Sequence, residues 1–255
     1  MAANSVTFDF SGSSVLVSGG TSGIGYAVAS AFADWGAEVT VTGTRESVGS
    51  YDGDAVDLGR FTYVRADMRD IEAIDALAGE FDVLDVLVNN AGTAFPDGLD
   101  EWTPAGFRAA LETNLEGAFR LSTGLKPALR ASTIAGGASV VNIASMSAFR
   151  AVPMVPGYSA AKAALVATTR NMALAWIGDG IRVNAVAPGL ILTRMTEAMT
   201  DPSLAELTER ELARIPAGRM GTPEEVAAMV LFLATGSSSY TTAATFAVDG
   251  GYLAF

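Results

Sequence analysis

Short apolar segments that favour β-strands alternate with helical segments along the 255 residues of this chain. Seven strands are predicted, with the sequences SVLVS, EVTVT, FTYV, VLDVLVN, SVVNIA, IRVNAVA and ATFAVD. Neighbouring parallel strands require long crossovers, which are right-handed and place helices on both faces of the sheet. The chain is therefore predicted to be α/β, a single doubly wound domain over residues 1–255 with a seven-stranded parallel sheet.

The helical segments carry apolar residues at three- and four-residue spacing. They are GIGYAVASAFADW, IEAIDALAGEF, a helix around Phe107–Leu121, a long helix through Tyr158–Trp176 and a helix from Pro223 to Ala234. The long helix is apolar on more than one face, which predicts a homo-oligomer, with dimer and tetramer both open. An irregular region at about 193–220 interrupts the alternation, and it is predicted to form a substrate lid.

The charge of the chain restricts its partners. The formal net charge is −12, so nucleic acid and anionic membranes are not expected, and a small molecule is the expected ligand. The start, MAANSVTFDF, lacks a cationic region followed by an apolar one, and apolar runs such as AAMVLFLA are too short to span a bilayer. The protein is therefore expected to be soluble and cytoplasmic.

The chain contains no cysteine and no histidine. Disulfides, thiolate nucleophiles and zinc–thiolate sites are thereby excluded, and the usual proton carrier near neutral pH is missing. The carboxylates do not cluster at metal-ligand spacing, so no metal is expected. Any acid–base chemistry must use another side chain.

A glycine-rich turn, SGGTSGIG, lies between the first strand and the first helix. Glycine lets backbone N–H groups approach a pyrophosphate closely, and the positive end of the helix dipole favours the anion. Gly19, Gly23 and Gly25 are the glycines that would do this. The turn therefore indicates a dinucleotide site, although a tight strand-to-helix connection is the simpler alternative.

Tyr158 and Lys162 stand four residues apart in the stretch GYSAAKAAL, so they share one face of the long helix. Taken alone, the pair is more typical of an aromatic ring packed in the core beside a snorkelling lysine.

The order of motifs along nearly the whole chain resembles the short-chain dehydrogenase/reductase family, whose members have a Rossmann fold. The glycine-rich turn resembles the T-G-x-x-x-G-x-G turn of this family: Ser18-Gly19 is followed, after three residues, by Gly23-Ile24-Gly25, with serine in place of threonine. The remaining matching residues are Asp67, the NNAG at Asn89–Gly92, Asn114, Ser145, Tyr158-x-x-x-Lys162, and Pro188–Gly189 with Thr193.

The resemblance implies a catalytic set of Asn114, Ser145, Tyr158 and Lys162. Tyr158 would exchange a proton with the substrate oxygen, and Ser145 would orient that oxygen. A phenol has a pKa of about 10, and the ammonium of Lys162 is expected to favour the phenolate. Lys162 would also bind the nicotinamide ribose, while Asn114 would hold a relay water. The activity implied is hydride transfer between NAD(P) and a CH–OH or C=O group.

The resemblance also implies the residues that bind the cofactor. Asp67, rather than the neighbouring Asp70, is expected to meet the adenine. The second strand ends in Gly43-Thr44-Arg45, where an arginine and no acid is found, which favours NADP over NAD. The expected contacts are Ser18, Gly19, Ser22, Gly23, Ile24, Gly25, Thr44, Arg45, Asp67, Met68, Asn90, Ala91, Gly92, Tyr158, Lys162, Pro188, Gly189, Ile191 and Thr193.

The predicted substrate walls are mainly apolar, which favours a hydrophobic ketone or secondary alcohol. The substrate contacts expected are Phe95, Met146, Ser147, Pro153, Leu190, Met195 and Met199. A 3-oxoacyl group on acyl carrier protein is an alternative, for which Lys126 and Arg130 would form the docking patch. A dinucleotide-binding regulator without turnover is an alternative of another class.

Overall fold

The computed structural model describes residues 6–51, 56–201, 203 and 205–254. Its centre is one seven-stranded, entirely parallel sheet with the order β3-β2-β1-β4-β5-β6-β7, which confirms the predicted fold class. The strands are β1 Ser14–Ser18, β2 Glu38–Gly43, β3 Thr62–Arg65, β4 Val86–Asn89, β5 Ala138–Ile143, β6 Ile181–Pro188 and β7 Thr245–Val248.

Helices cover both faces of this sheet because its strands are apolar on both sides. Val15 and Val17 of β1 pack in one core with two of the helices, α1 and α8, while Leu16 points into the opposite core. The helices are α1 Gly23–Asp34, α2 Ile71–Ala78, α3 Pro104–Leu111, α4 Gly117–Gly124, α5 Lys126–Arg130, α6 Pro156–Trp176, α7 Ala205–Leu212 and α8 Pro223–Ala234.

The strand order reverses between β1 and β4, whose residues pair from Val15 with Val86 to Ser18 with Asn89. From this point the crossovers run in opposite directions, so the loops that follow β1 and β4 diverge. A crevice at the carboxyl ends of the strands is the result, and this is where open α/β sheets bind ligands.

The helix predicted around Phe107–Leu121 is interrupted, which corrects that prediction. A π-helical turn at Glu112–Glu116 separates α3 from α4. Two side chains take carbonyls four residues back: Thr113 Oγ1 donates to Ala109 O at 2.9 Å, and Asn114 Nδ2 donates to Ala110 O at 2.9 Å. Such bonds compete with the α-helical ladder, and π-turns are frequent at functional sites.

Other boundaries also differ from the expectations, most of all in the fourth strand, which starts at Val86 and not at the predicted Val83. The second helix ends at Ala78, short of the predicted Phe81, and α6 starts at Pro156, two residues before Tyr158. The region expected to be irregular contains α7 and a 3-10 turn at Arg194–Thr200. Four of the eight residues of α7, AELTEREL, are charged, which obscures its helical pattern in the sequence. Pro202 and Leu204 of the predicted lid lie outside the described residues.

The long helix α6 leaves apolar side chains exposed on one face, among them Leu174 at 74% exposure. None of the described helices is both long and apolar enough to cross a membrane.

Candidate active site

A cavity of about 560 Å³ occupies the crevice at the carboxyl ends of β1, β4, β5 and β6. It brings together most of the residues expected at the site. Those lining it are Gly19, Ser22, Gly23, Ile24, Gly25, Thr44, Asp67, Met68, Asn90, Ala91, Gly92, Ser145, Met146, Ser147, Tyr158, Lys162, Pro188, Gly189, Leu190, Ile191, Thr193 and Met195.

The glycine-rich turn is held against the end of β4 by polar contacts. The buried hydroxyl of Ser18 accepts hydrogen bonds from the backbone N–H groups of Asn90 and Ala91, both at 3.1 Å. Asn90 Nδ2 donates in return to Ser18 O at 3.1 Å and Gly19 O at 2.9 Å. Ser18 therefore lies beneath the cavity and shapes the turn, and Asn90 joins the turn to the end of β4.

Two glycines permit the close packing of this turn. Gly19 has φ +65°, and a Cβ at this position would lie 2.8 Å from Ala91 Cα. A Cβ on Gly25 would lie 2.2 Å from Gly19 O and 2.4 Å from Asn90 Nδ2. Side chains at either position would push the turn apart.

The first turn of α1 fits an anionic group. Its N-cap, Ser22, makes no side-chain capping hydrogen bond, and no acidic residue occurs in the first turn. The backbone N–H groups that open a helix need acceptors, and those of α1 face the cavity with the positive end of the helix dipole. The turn therefore fits the pyrophosphate of a dinucleotide.

The structure separates the two aspartates that follow β3. Asp70 caps α2, because its carboxylate accepts from the N–H groups of Glu72 and Ala73. Asp67 lines the cavity and is bound by the N–H and guanidinium of Arg69. Burial acts to raise the pKa of Asp67, but the hydrogen bonds from Arg69 outweigh it and bring the pKa below its usual value. Asp67 is therefore an ionised acceptor at the cavity.

Arg45 follows Thr44 at the end of β2 but does not line the cavity wall. Its guanidinium lies 4.4 Å from the centre of the Tyr51 ring, and Nη1 donates to Ser50 O at 2.7 Å. These two contacts hold the side chain against Tyr51 and Ser50.

Ser145, Tyr158 and Lys162 converge at the other end of the cavity. Lys162 is buried, and its Nζ donates to Ile143 O at 2.8 Å and lies 5.5 Å from the centre of the Tyr158 ring. Ser145 begins a short turn, with its hydroxyl accepting from Ser147 N at 3.1 Å. The hydroxyls of Ser145 and Tyr158 also interact. The cluster thus joins two hydroxyls and one ammonium in the same cleft.

The electrostatics of this cluster differ from the expectation. Burial, the largest influence, raises the pKa of Tyr158 above 10, the Ser145 hydrogen bond opposes it, and the charge of Glu101 adds to it. Burial also lowers the pKa of Lys162 to about 8. The expectation that Lys162 by itself brings Tyr158 towards phenolate is wrong for the protein without ligand, because loss of hydration opposes both charged forms.

Asn114 is buried in the π-turn and does not line the cavity. Its Oδ1 accepts from Thr93 N at 3.0 Å, and Nδ2 donates to Thr93 O and Ala110 O, both at 2.9 Å. Both amide protons are thus committed, so a relay water can be held here only by an acceptor atom. Gly92 lies between Asn114 and Lys162, since a Cβ on it would be 2.5 Å from Asn114 Oδ1 and 3.3 Å from Lys162 Nζ.

Three of the expected substrate contacts do not line the cavity. Phe95 is 41% exposed in a left-handed conformation, Pro153 is exposed on the loop before α6, and Met199 lines a second hollow beside α7. These positions depend on loop paths, which local sequence patterns do not determine. Ala94 and Val155, which belong to the same segments as Phe95 and Pro153, do line the cavity.

Glu101 is a residue that the sequence analysis missed. It is buried, and its carboxylate oxygens accept from the backbone N–H groups of Phe95 and Tyr158. It stands among polar residues before a helix, in LDEWTP, where a solvent-exposed side chain is the usual expectation. No local pattern distinguishes it from Asp100. Among the described residues, no cluster of three acidic side chains could hold a metal ion.

A family model described as enoyl-(acyl carrier protein) reductase matches residues 19–253. The chain belongs to the short-chain dehydrogenase/reductase family. It is 38% identical over 245 residues to cis-4-hydroxycyclohexanecarboxylate dehydrogenase of Sinomonas cyclohexanicum, covering 94% of this chain and 96% of the relative. It is 38% identical over 252 residues to galactitol 2-dehydrogenase of Cereibacter sphaeroides, covering 96% of each.

A solved structure shares the fold and contains a nicotinamide dinucleotide. The active-site complex of Pseudomonas aeruginosa RhlG with NADP has a TM-score of 0.83 at 32% identity, covering 96% of this chain and 98% of that one. This short-chain dehydrogenase/reductase is therefore an oxidoreductase of CH–OH and C=O groups, and its cavity fits the cofactor class of its relatives.

Substitution of Gly25 by alanine is expected to weaken cofactor binding strongly. The added Cβ would displace Gly19 O and Asn90 Nδ2, and with them the amides that face the pyrophosphate. We expect NADPH fluorescence titration to show a Kd raised at least about 30-fold. Gly178→Ala is the matched control, because a Cβ at Gly178 meets nothing within 4 Å. Unchanged NADPH affinity in a folded Gly25→Ala protein would contradict the assignment.

Proposed function

We propose that this enzyme transfers hydride between NADP(H) and a hydrophobic ketone or secondary alcohol, with Tyr158 as general acid and base. The observation that carries the proposal is the convergence of Ser145, Tyr158 and Lys162 at one end of the cavity. The other end of the same cavity is formed by the glycine-rich turn. A single elongated ligand therefore has room between the two.

Each of these residues has a distinct part in the proposed reaction. A bound nicotinamide supplies or accepts the hydride. Tyr158 donates its phenolic proton to the carbonyl oxygen during reduction and accepts a proton from the hydroxyl during oxidation. Ser145 donates a hydrogen bond to that oxygen and orients it. Lys162 binds the ribose and stabilises the phenolate, and Asn114 holds the relay water through an acceptor atom.

The walls around Tyr158 support a mainly apolar substrate. They include Ala94, Met146, Val155, Leu190 and Met195. Flexible methionine side chains adapt to irregular apolar shapes. The cyclohexane ring in the name of the Sinomonas relative agrees with such a surface.

The position of Ser147 favours a substrate that carries a second oxygen atom. Its hydroxyl is buried beside the cavity and has no hydrogen-bond partner among the described residues. A buried hydroxyl without a partner is costly, so a ligand oxygen at this position would gain a hydrogen bond. A 1,2-diketone or a ring ketone with a polar substituent meets this requirement.

The alternative substrate, a 3-oxoacyl group on acyl carrier protein, is not favoured. Its expected docking patch is neutralised, because Lys126 Nζ lies 2.9 Å and Arg130 Nε 3.5 Å from the carboxylate of Asp179. Both cations also belong to α5, which precedes β5 and thus lies at the amino edge of the sheet. The cavity opens at the opposite edge.

The preference for NADP is assigned to Arg45. Arg45 follows Thr44, which lines the cavity, at the end of β2, where the 2′-phosphate of NADP is expected. We expect Arg45→Ala to raise the Kd of NADPH about 10- to 100-fold and that of NADH less than about threefold. Fluorescence titration with both cofactors measures this, with the exposed Arg170→Ala as control. An equal loss for both cofactors, or tighter binding of NADH by the wild type, would refute the assignment.

The lid and the homo-oligomer are also proposals. Two hydrogen bonds join α7 to the loop beside the cavity, since Tyr252 Oη donates to Glu211 Oε2 at 2.6 Å and Arg150 Nη1 donates to Tyr252 O at 2.9 Å.

The exposed apolar face of α6 supports association of subunits. Light scattering at working concentration tests the latter, and a monomeric mass would remove it.

The test of the proposed function is oxidation of NADPH, then NADH, in the presence of a substrate panel. The panel contains 4-oxocyclohexanecarboxylate, apolar cyclic ketones, 1,2-diketones, a ketose and a 3-oxoacyl thioester. We expect kcat/KM for the best apolar ketone to exceed that for the ketose and the thioester at least about tenfold. The thioester or the ketose as best substrate would overturn the substrate class. NADPH binding without turnover on any compound would favour the regulator.

A further inference from the structure

Glu101 is a nearly inaccessible carboxylate between the substrate end of the cavity and the catalytic helix. The residue is 1% exposed. Burial of a carboxylate costs a large free energy of desolvation unless its oxygens accept strong hydrogen bonds. Two main-chain amides bind the carboxylate of Glu101: Phe95 N donates to Oε1 at 2.9 Å, and Tyr158 N donates to Oε2 at 2.8 Å. One side chain thus joins two segments that border the site.

At the Tyr158 end, Glu101 does what a capping residue of α6 would do. The N-cap of α6 is Val155, which makes no side-chain capping hydrogen bond. The N–H of Tyr158 lies in the first turn and has no acceptor within the helix. Glu101 supplies that acceptor from 57 positions away, and the positive end of the helix dipole favours its charge. Gly157 makes room, since a Cβ there would lie 3.3 Å from Glu101 Oε2.

At the other end, Glu101 holds a backbone conformation that is unfavourable on its own. Phe95 has φ +51°, the left-handed region that bulky side chains rarely adopt. The preceding residue, Ala94, lines the cavity. The next residue after Glu101 adds a parallel contact, because Trp102 Nε1 donates to Pro153 O at 2.8 Å. Residues 94–102 are thereby tied at two points to the segment that carries Tyr158.

We infer that Glu101 is a positioning residue, which holds the Ala94–Phe95 wall and the first turn of α6 in one arrangement, so that the Tyr158 hydroxyl meets the substrate oxygen at a constant distance. The inference rests on the proposed function, because it gives that function's acid a second support besides the Tyr158-x-x-x-Lys162 spacing. A displacement of a reacting group by 1 Å can cost about 100-fold in rate.

The charge of Glu101 adds a measurable signature. It acts together with burial to raise the pKa of Tyr158, whereas the Ser145 hydroxyl acts against them. Lys162 is the charged group of α6 that faces the Tyr158 ring. On the elements packed against α6, Arg108 of α3 and Glu112 and Glu116 of the π-turn line a surface hollow together with Glu101. Replacing only Glu101 by glutamine removes one of these charges. The pKa of Tyr158 must then fall.

The first test needs no turnover. Nuclear magnetic resonance of protein with isotopically labelled phenylalanine and tyrosine reports hydrogen exchange at the Phe95 and Tyr158 amides. A glutamine can accept from one of these amides but presents N–H to the other. In Glu101→Gln we therefore expect at least one of the two to exchange about tenfold faster or more. Glu80→Gln, at an exposed position, removes the same charge as control. Rates within about twofold of wild type at both amides would overturn the inference.

The second test separates positioning from general stability. In Glu101→Gln we expect kcat to fall about 10- to 100-fold with an NADPH Kd within about threefold of wild type. In reduction, activity falls as Tyr158 loses its proton, so the descending limb of the pH profile should move to lower pH. Glu101→Asp keeps the charge but is too short to span both amides, so kcat should fall while the limb stays.

The outcomes are distinguishable from failure of the proposed function. If wild type turns over and Tyr158→Phe does not, but Glu101→Gln and Glu101→Asp both retain the wild-type kcat and pH limb, the positioning role is wrong and the proposed function stands. If wild type reduces no substrate, the proposed function fails, and the amide exchange rates still decide whether Glu101 holds the two segments.

Discussion

Replacement of Tyr158 by phenylalanine is expected to lower kcat for the best ketone about 1000-fold, with an NADPH Kd within about threefold of wild type. The substitution keeps the ring beside Lys162 and removes only the hydroxyl that interacts with Ser145. Because this chain has no histidine, no imidazole can replace the lost acid. Stopped-flow or steady-state absorbance of the reduced nicotinamide measures the rate, and fluorescence titration measures the binding.

The control for this prediction is Tyr240→Phe. Tyr240 is fully exposed, so removal of its hydroxyl should leave both kcat and NADPH affinity unchanged. A Tyr158→Phe enzyme with more than about a tenth of the wild-type kcat would show that another group supplies the proton. A variant that no longer binds NADPH would instead indicate that the hydroxyl serves the cofactor.

Replacement of Lys162 by methionine is expected to lower kcat/KM by about 100-fold or more without lowering stability at pH 7. Burial holds the pKa of this ammonium at about 8, against an ordinary value of 10.5. The protonated form therefore costs the folded protein about 3 kcal/mol at neutral pH. Methionine has similar length and no charge, so the gain offsets the lost hydrogen bond from Nζ to Ile143 O.

The pH dependence of stability tests the origin of this effect. A lowered pKa of lysine means that the unfolded state binds more protons between pH 8 and 10.5. The stability of wild type should therefore rise relative to Lys162→Met across that interval, since the folded protein loses its buried charge. Urea unfolding at several pH values measures the difference. A Lys162→Met protein that is several kcal/mol less stable at pH 7, or a difference that does not change with pH, would contradict the burial argument.

The motifs and their order predicted the cofactor and catalytic residues of the site better than they predicted its substrate contacts. Most of the residues that line the cavity lie at or just after the ends of strands, and parallel strands bring their carboxyl ends to one edge of the sheet. Phe95, Pro153 and Met199 were expected at the substrate from loop position alone, and none of them lines the cavity. A loop side chain is directed by its backbone path, which distant contacts determine.

The hydrogen bonds of Glu101 and of the π-turn likewise depend on contacts between distant parts of the chain. The hydrogen bond from Tyr158 N to Glu101 joins residues 57 apart, and that from Thr93 N to Asn114 joins residues 21 apart. Neither partner can be recognised from its neighbours, because an acid before a helix and an asparagine within one are ordinary at the surface. The pKa of Tyr158 also escaped prediction, since the loss of hydration depends on everything packed around the phenol.

Periodicity and turn composition were sufficient for the strands, the helices and the glycine-rich turn, because each depends on residues near one another in the chain. The role of the Tyr158–Lys162 pair came instead from the order of motifs along the whole chain. Tertiary packing decided the burial of Lys162, the saturation of Asn114 by Thr93 and Ala110, and the link from Glu101 to Tyr158. The physical reason is that backbone preference acts over a few residues, whereas dehydration and hydrogen-bond partners are set by segments that meet only when the chain is folded.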